Sequence, residues 1–186
     1  MTASMTAKIR LENGYGLALE ALSFNKNAPL ENMPALFERL ASKDHGHNKA
    51  LRFIMVWLDV TATREWWVQA DTYTAGGPPK SSESTMVRLG RGHLLTLDDC
   101  ADGVEQCVLD VVNKFIAEGD WRRAKKNLPE GFLQRRMWLV NYQTLREIII
   151  QRHNHKLIEW QMFIRQVVSQ LRNPELLPLE MLQGET

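Results

Sequence analysis

Leu51-Arg52-Phe53-Ile54-Met55-Val56-Trp57-Leu58-Asp59-Val60 is apolar at every position except Arg52 and Asp59. A run of this length, rich in aromatic and β-branched residues, reads as a buried strand. The loop His45-Gly46-His47-Asn48 precedes it. Before that loop, Asn32 to Lys43 reads as a helix, with Met33, Leu36, Phe37 and Leu40 on one face at i, i+3, i+4 and i+7. Further upstream, Gly16 to Leu22 favours helix and Ser23-Phe24-Asn25 ends it. Lys8 to Leu11 reads as a short first strand closed by the turn Glu12-Asn13-Gly14.

Downstream of the strand, Ala75 to Ser82 (AGGPPKSS) holds two glycines and two prolines and reads as a shaped loop. Leu97-Asp98-Asp99 caps a helix running to about Ala117, whose stripe is Val104, Cys107, Val108, Val111, Val112 and Phe115. Gly119 ends that helix and Pro129 opens the last region. Asn141 to Leu171 is mostly helical. Leu145, Ile148 and Ile149 form one stripe, and Leu157, Trp160, Ile164, Val168 and Leu171 another. The polar patch Arg152-His153-Asn154-His155 lies between them, and Pro174 stops the run. The pattern is α+β with a small sheet, expected to form one domain over 1–186, with 1–7 and 175–186 as flexible tails.

The 186 residues carry 23 basic and 22 acidic side chains, a formal net charge of +1. That balance gives no support for a general nucleic-acid or membrane-surface binder. The sequence lacks an apolar run near the roughly 20 residues a membrane span needs. Cys100 and Cys107 are the only cysteines; seven apart in a helical pattern, they share a face and read as reduced thiols. These features fit a cytosolic protein, in the host cytosol if the chain is phage-encoded.

Four groups of residues could carry chemistry. Ser81-Ser82-Glu83-Ser84-Thr85, followed by Arg88 and Arg91, brings hydroxyls, amides and guanidinium groups to one loop, which suits a phosphate. The plain alternative is a solvated loop that caps the next element. Arg152 falls where the stripe of Ile148 and Ile149 continues, so it lines a polar pocket or pairs with an acid such as Glu159. The pairs His45/His47 and His153/His155 lack an acidic or thiol complement, and no metal site is expected. Trp57, Trp66, Trp67, Tyr73, Trp138 and Trp160 offer rings for stacking or for a core. The basic run from Arg122 to Lys126 reads as a solvated helix face.

Taken in order, these pieces resemble the flavin-dependent thymidylate synthase family. Ser23-Phe24-Asn25 resembles the Ser-Phe-Asp that ends the family's first helix. LFERLASKDHGHNKALRFIMVWLDVTAT, from Leu36, has the family's layout of helix, His-Gly-His loop and strand. QRRMWLVNYQTLREIIIQRHNHKLIEWQMFI, from Gln134, resembles its later segment of an arginine, an asparagine, an apolar helix and a second arginine. The resemblance implies a small, mainly antiparallel sheet flanked by helices. It also implies transfer of a one-carbon unit to C5 of dUMP, with FAD as cofactor and methylenetetrahydrofolate and NADPH as co-substrates.

On this alignment Arg135 and Arg152 fall on the arginines that hold dUMP, and Asn141 on the asparagine between them. Glu83 would order the loop, and Ser84 or Thr85 with Arg88 would close over the phosphate, helped by Ser82 and Gln69. Ser84, Thr85 and Arg152 are the residues nearest the chemistry. Thr72, Tyr73 and Thr74 occupy the positions of the family's Arg-His-Arg and, with Asn141 and Trp67, would hold the cofactor, while Trp66, Trp67 and Tyr73 would supply a stacking wall. Losing three cationic or imidazole groups there removes charge that would neutralise the flavin nucleotide's diphosphate. The resembling enzymes are homotetramers with sites built between subunits. The alternative to an enzyme is a non-catalytic relative that senses a nucleotide or binds a protein partner.

Overall fold

Gly14 sets the first corner of the chain. Its φ is 107°, and a Cβ there would lie 2.0 Å from the Phe53 carbonyl oxygen, so only glycine fits. The computed structural model describes residues 5–44, 46–73 and 80–182. Thr74, His45, the Gly76-Gly77-Pro78-Pro79 stretch and the extreme ends lie outside the described residues.

In chain order the elements are β1 (Thr6–Asn13), α1 (Tyr15–Lys26), α2 (Met33–Ala41), β2 (Met55–Thr63), α3 (Arg64–Ala70), β3 (Lys80–Ser82), α4 (Thr85–Gly90), α5 (Gln106–Ala117), α6 (Trp121–Lys126), β4 (Leu133–Asn141), α7 (Tyr142–Arg152) and α8 (Ile158–Val168). Short 3-10 turns stand at Leu30–Asn32, Lys49–Phe53, Leu97–Asp99, Pro174–Leu176 and Leu179–Leu182. The four strands form an antiparallel sheet in the order β1-β2-β4-β3. Main-chain bonds mark the antiparallel run of β2 against β4. Arg64 N–H donates to Phe132 O (3.1 Å) at one end, and Tyr142 N–H to Ile54 O (3.0 Å) at the other.

The chain divides into two compact units, with breaks inside β1, after Thr6, inside β2, after Asp59, and inside β4, after Met137. The first unit holds the described residues of 1–6, 60–74 and 80–137. Its core gathers Leu89, Leu95, Cys100, Leu109, Val112, Phe115, Ile116, Ala124, Leu128 and Phe132. The second unit holds those of 7–59 and 138–186. Its core includes Phe37, Leu51, Leu58 and Ile148, with Trp138 and Trp160 packed on Phe163 at ring separations of 5.9 and 6.0 Å. Burying each such ring contributes about 3 kcal/mol, so these three anchor that unit. Side chains start several helices. Thr63 Oγ1 accepts from Trp66 N–H (3.2 Å) at α3, and Asn141 Oδ1 from Thr144 N–H (2.9 Å) at α7.

The structure departs from the sequence reading at identifiable places. Thr6 and Ala7, read as part of a tail over 1–7, belong to β1: Ala7 is buried and its N–H donates to Gln166 Oε1 (2.7 Å). At the other end, Leu176 and Leu177 are buried. Helix α1 runs through Ser23-Phe24-Asn25 and stops at Asn27, which takes a left-handed conformation. Lys80–Ser82 is a strand rather than the end of a loop. Leu97–Asp99 is a separate turn with a Thr96–Asp99 capping box, and Gly103 at φ 90° separates it from α5. Helix α5 therefore buries Leu109, Val112, Phe115 and Ile116, while Val108 and Val111 face outward. Cys100 precedes that helix and is buried, whereas Cys107 is exposed on it, so the two thiols do not share a helix face.

Candidate functional site

In the first unit, β3 delivers Ser82 and Glu83 to the edge of β4, where Glu83 N–H donates to Arg135 O (3.0 Å). Ser84 follows as the N-cap of α4, its hydroxyl accepting from Val87 N–H at 3.3 Å. That turn and the end of α4 wall an open cleft of about 820 Å³ lined by Glu83, Ser84, Val87, Arg88, Arg91 and His93. Arg91 and His93 are exposed, and among the described residues Arg91 forms no ion pair. Arg88 differs. Its guanidinium is bonded to Asp99 and lies over the Phe132 ring, 5.4 Å from the centroid. This argues against the expectation that Arg88 closes over a phosphate with Ser84 or Thr85: its charge is already matched and its side chain is largely buried. Asp99 and Arg88 also act on Cys100. Burial, with help from Asp99 and against the effect of Arg88, pushes that thiol up to about 11.

Beside the cleft runs a chain of polar groups that the sequence reading missed. Asp71, at the C-terminus of α3, accepts from Lys80 Nζ (2.9 Å) and from Arg136 Nη1 (3.2 and 3.3 Å). Arg136 Nη2 donates to Gln134 Oε1 (2.9 Å), and Gln134 Nε2 donates to Thr85 Oγ1 (3.1 Å). Arg136 also lies 4.4 Å over the Trp67 ring, whose Nε1–H donates to Gln134 O (3.0 Å). The signal was the doublet Arg135-Arg136. On a strand, neighbouring residues face opposite sides, and Arg135 is exposed while Arg136 is turned inward.

The residues aligned with the Arg-His-Arg region sit on or just after α3. Trp66 and Trp67 are fully buried and meet edge to face, with ring centroids 4.9 Å apart. Tyr73 is also buried, and Thr72 Oγ1 donates to Gln69 O (2.7 Å). An open stacking wall of Trp66, Trp67 and Tyr73 is thus corrected: apolar packing places these rings inside the first unit. In the second unit, Asn141 caps α7, and Arg152, the last residue of α7, lies 5.2 Å over the Trp160 ring. His155 Nδ1 accepts from Leu157 N–H (3.1 Å), a local turn contact before α8.

The fold is that of the flavin-dependent thymidylate synthases. Two crystal structures of the ThyX enzyme of Helicobacter pylori with FAD and dUMP each superpose with a TM-score of 0.79. One is 13% identical, covering 92% of this chain and 97% of the other; the second is 15% identical, covering 97% and 100%. At this identity the likeness defines the fold and leaves chemistry to the residues. No protein-family model and no curated protein sequence matches the chain. Among the described residues no helix is long and apolar enough to cross a membrane.

Proposed function

We propose that this chain binds a pyrimidine nucleoside monophosphate such as dUMP, with the phosphate held at the turn that opens α4. The supporting observation is the convergence of Glu83, Ser84, Arg91 and His93 on one open cleft, with Arg135 joined to Glu83 through the main chain. The Ser84 hydroxyl accepts a capping bond and keeps its own proton for an anion. Arg91, rather than Arg88, is the guanidinium of α4's surroundings available to the phosphate. Arg152 and Arg135 complete the set implied by the family resemblance, in a site assembled between subunits.

One-carbon transfer to C5, with FAD, methylenetetrahydrofolate and NADPH, is the activity that the likeness to an enzyme solved with FAD and dUMP favours. The described residues nominated for the flavin do not form a cradle for it. Trp67 and Tyr73 are buried, Thr72 turns its hydroxyl to Gln69, and the oxygen of Asn141 is spent on a helix cap. That mismatch favours a second reading, a nucleotide-binding relative without flavin chemistry.

The visible spectrum of the purified protein, followed by calorimetric titration of dUMP into wild type and Arg152→Ala, tests both readings. A colourless protein that binds dUMP supports the second. A flavin spectrum with dUMP binding supports one-carbon transfer. Arg152→Ala is expected to lose dUMP binding while remaining folded, and unchanged affinity would remove Arg152 from the site.

A further inference from the structure

The polar chain running from Asp71 to Thr85 has a direction. An arginine carries only donors, so Gln134 must turn its oxygen toward Arg136. Its amide nitrogen, a donor only, is then left for Thr85, whose hydroxyl oxygen must accept. A hydroxyl that accepts in this way has one proton left, and among the described residues nothing receives it. Asp71 and the face of Trp67 hold Arg136 in place, and the indole N–H holds the main chain at Gln134. Thr85 lines a recess with Gln134, Leu133 and Phe132 that shares Glu83 and Arg88 with the larger cleft.

We propose that Arg136 and Gln134 are positioning residues that fix Thr85 as a hydrogen-bond donor to an anionic ligand oxygen at this recess. The proposal rests on the anion-binding reading given above and adds the groups that orient it. A bond to a charged oxygen is stronger than a neutral one, so loss of the Thr85 donor is expected to weaken an anion by about tenfold.

Calorimetric titration of the full chain with dUMP, and separately with inorganic phosphate, tests this. Thr85→Val is expected to bind dUMP about tenfold more weakly, and Thr85→Ser to stay close to wild type. Gln134→Glu is the sharper variant. A carboxylate still accepts from Arg136, so the melting temperature holds, but it also accepts the Thr85 proton and removes the donor from the ligand. Its loss of affinity is expected in wild type and to vanish in the Thr85→Val background, whereas a plain charge effect would persist there. Arg136→Met should likewise weaken binding only where Thr85 is present.

Wild-type affinity in Thr85→Val, or an equal loss from Gln134→Glu in both backgrounds, overturns the relay while leaving the nucleotide reading intact. Thr85-dependent binding of phosphate by a protein indifferent to dUMP supports the relay and overturns the nucleotide reading. A wild type that binds neither anion overturns both.

Discussion

The two units each contain a polar network, and the networks end differently. In the second unit the buried Glu12 carboxylate accepts from the Tyr142 hydroxyl (2.7 Å), Arg172 N–H (2.9 Å) and Asn173 Nδ2 (3.2 Å). Asn173 N–H in turn donates to the Tyr142 oxygen (3.4 Å), so the network closes on itself. In the first unit, among the described residues, the chain from Asp71 through Arg136 and Gln134 stops at the Thr85 hydroxyl, which still has a proton to give. A closed network spends its hydrogen bonds on stability. An open one holds a donor ready for something outside the chain. Under the proposed function, the closed network of the second unit serves stability and the open one of the first unit serves binding.

The closed network is most vulnerable at Glu12. Glu12→Leu strands three donors, and about 3 kcal/mol or more of stability should be lost. Urea unfolding measures it, and a loss below about 1 kcal/mol would deny that the network is closed and buried. Tyr142→Phe removes two bonds, one of them long, and should cost about 1 to 2 kcal/mol at neutral pH.

The same side chain gives a pH signature. Burial, then its bond to Glu12, raises the Tyr142 hydroxyl well above the ordinary tyrosine value near 10. The native state therefore keeps a proton that the unfolded chain releases. The stabilisation is complete below pH of about 10 and declines as pH rises beyond it. Wild type should lose stability between about pH 10 and 11 more steeply than Tyr142→Phe, and parallel curves would contradict the burial of that hydroxyl.

Effects on the open side are smaller for stability and larger for binding. Arg91→Ala should weaken dUMP about fivefold, as loss of one partly screened charge contact, and leave the melting temperature within a degree or two. Arg88→Ala should show the reverse pattern, because its partner Asp99 is left uncompensated. The smallest effect is chemical. With its thiol pushed up to about 11, Cys100 should resist alkylation in the native protein at neutral pH. Exposed Cys107 should take one equivalent of reagent, and urea should reveal the second.

Much of the helical layout was legible because its signals are local. The stripe of Met33 and Phe37 on α2, and that of Leu145, Ile148 and Ile149 on α7, place residues at helical spacing, and these are buried. Strand β2 declared itself through a run that is apolar from Ile54 to Val60 except at Asp59, although the strand starts at Met55 and the residues read with it from Leu51 to Phe53 form a 3-10 turn. Strand β4 did not, because Gln134 and Arg136 occupy its inward positions before Trp138 and Val140. Their burial is tolerated only through Asp71, Trp67 and Thr85, partners remote in sequence. The candidate site divides in the same way. Ser82 to Thr85 could be read as a loop that seats an anion, but nothing local to Arg88 announces Asp99, and nothing in the Trp66-Trp67 pair distinguishes a core from a stacking surface.

The most direct test is an amide chemical-shift titration of isotope-labelled protein with dUMP. The account predicts saturable shifts concentrated in Glu83 to His93 and at Arg135 and Arg152, with the amides around Glu12 and Asn173 still. Shifts that avoid the α4 turn, or no shifts at millimolar dUMP, would contradict nucleotide binding at this cleft.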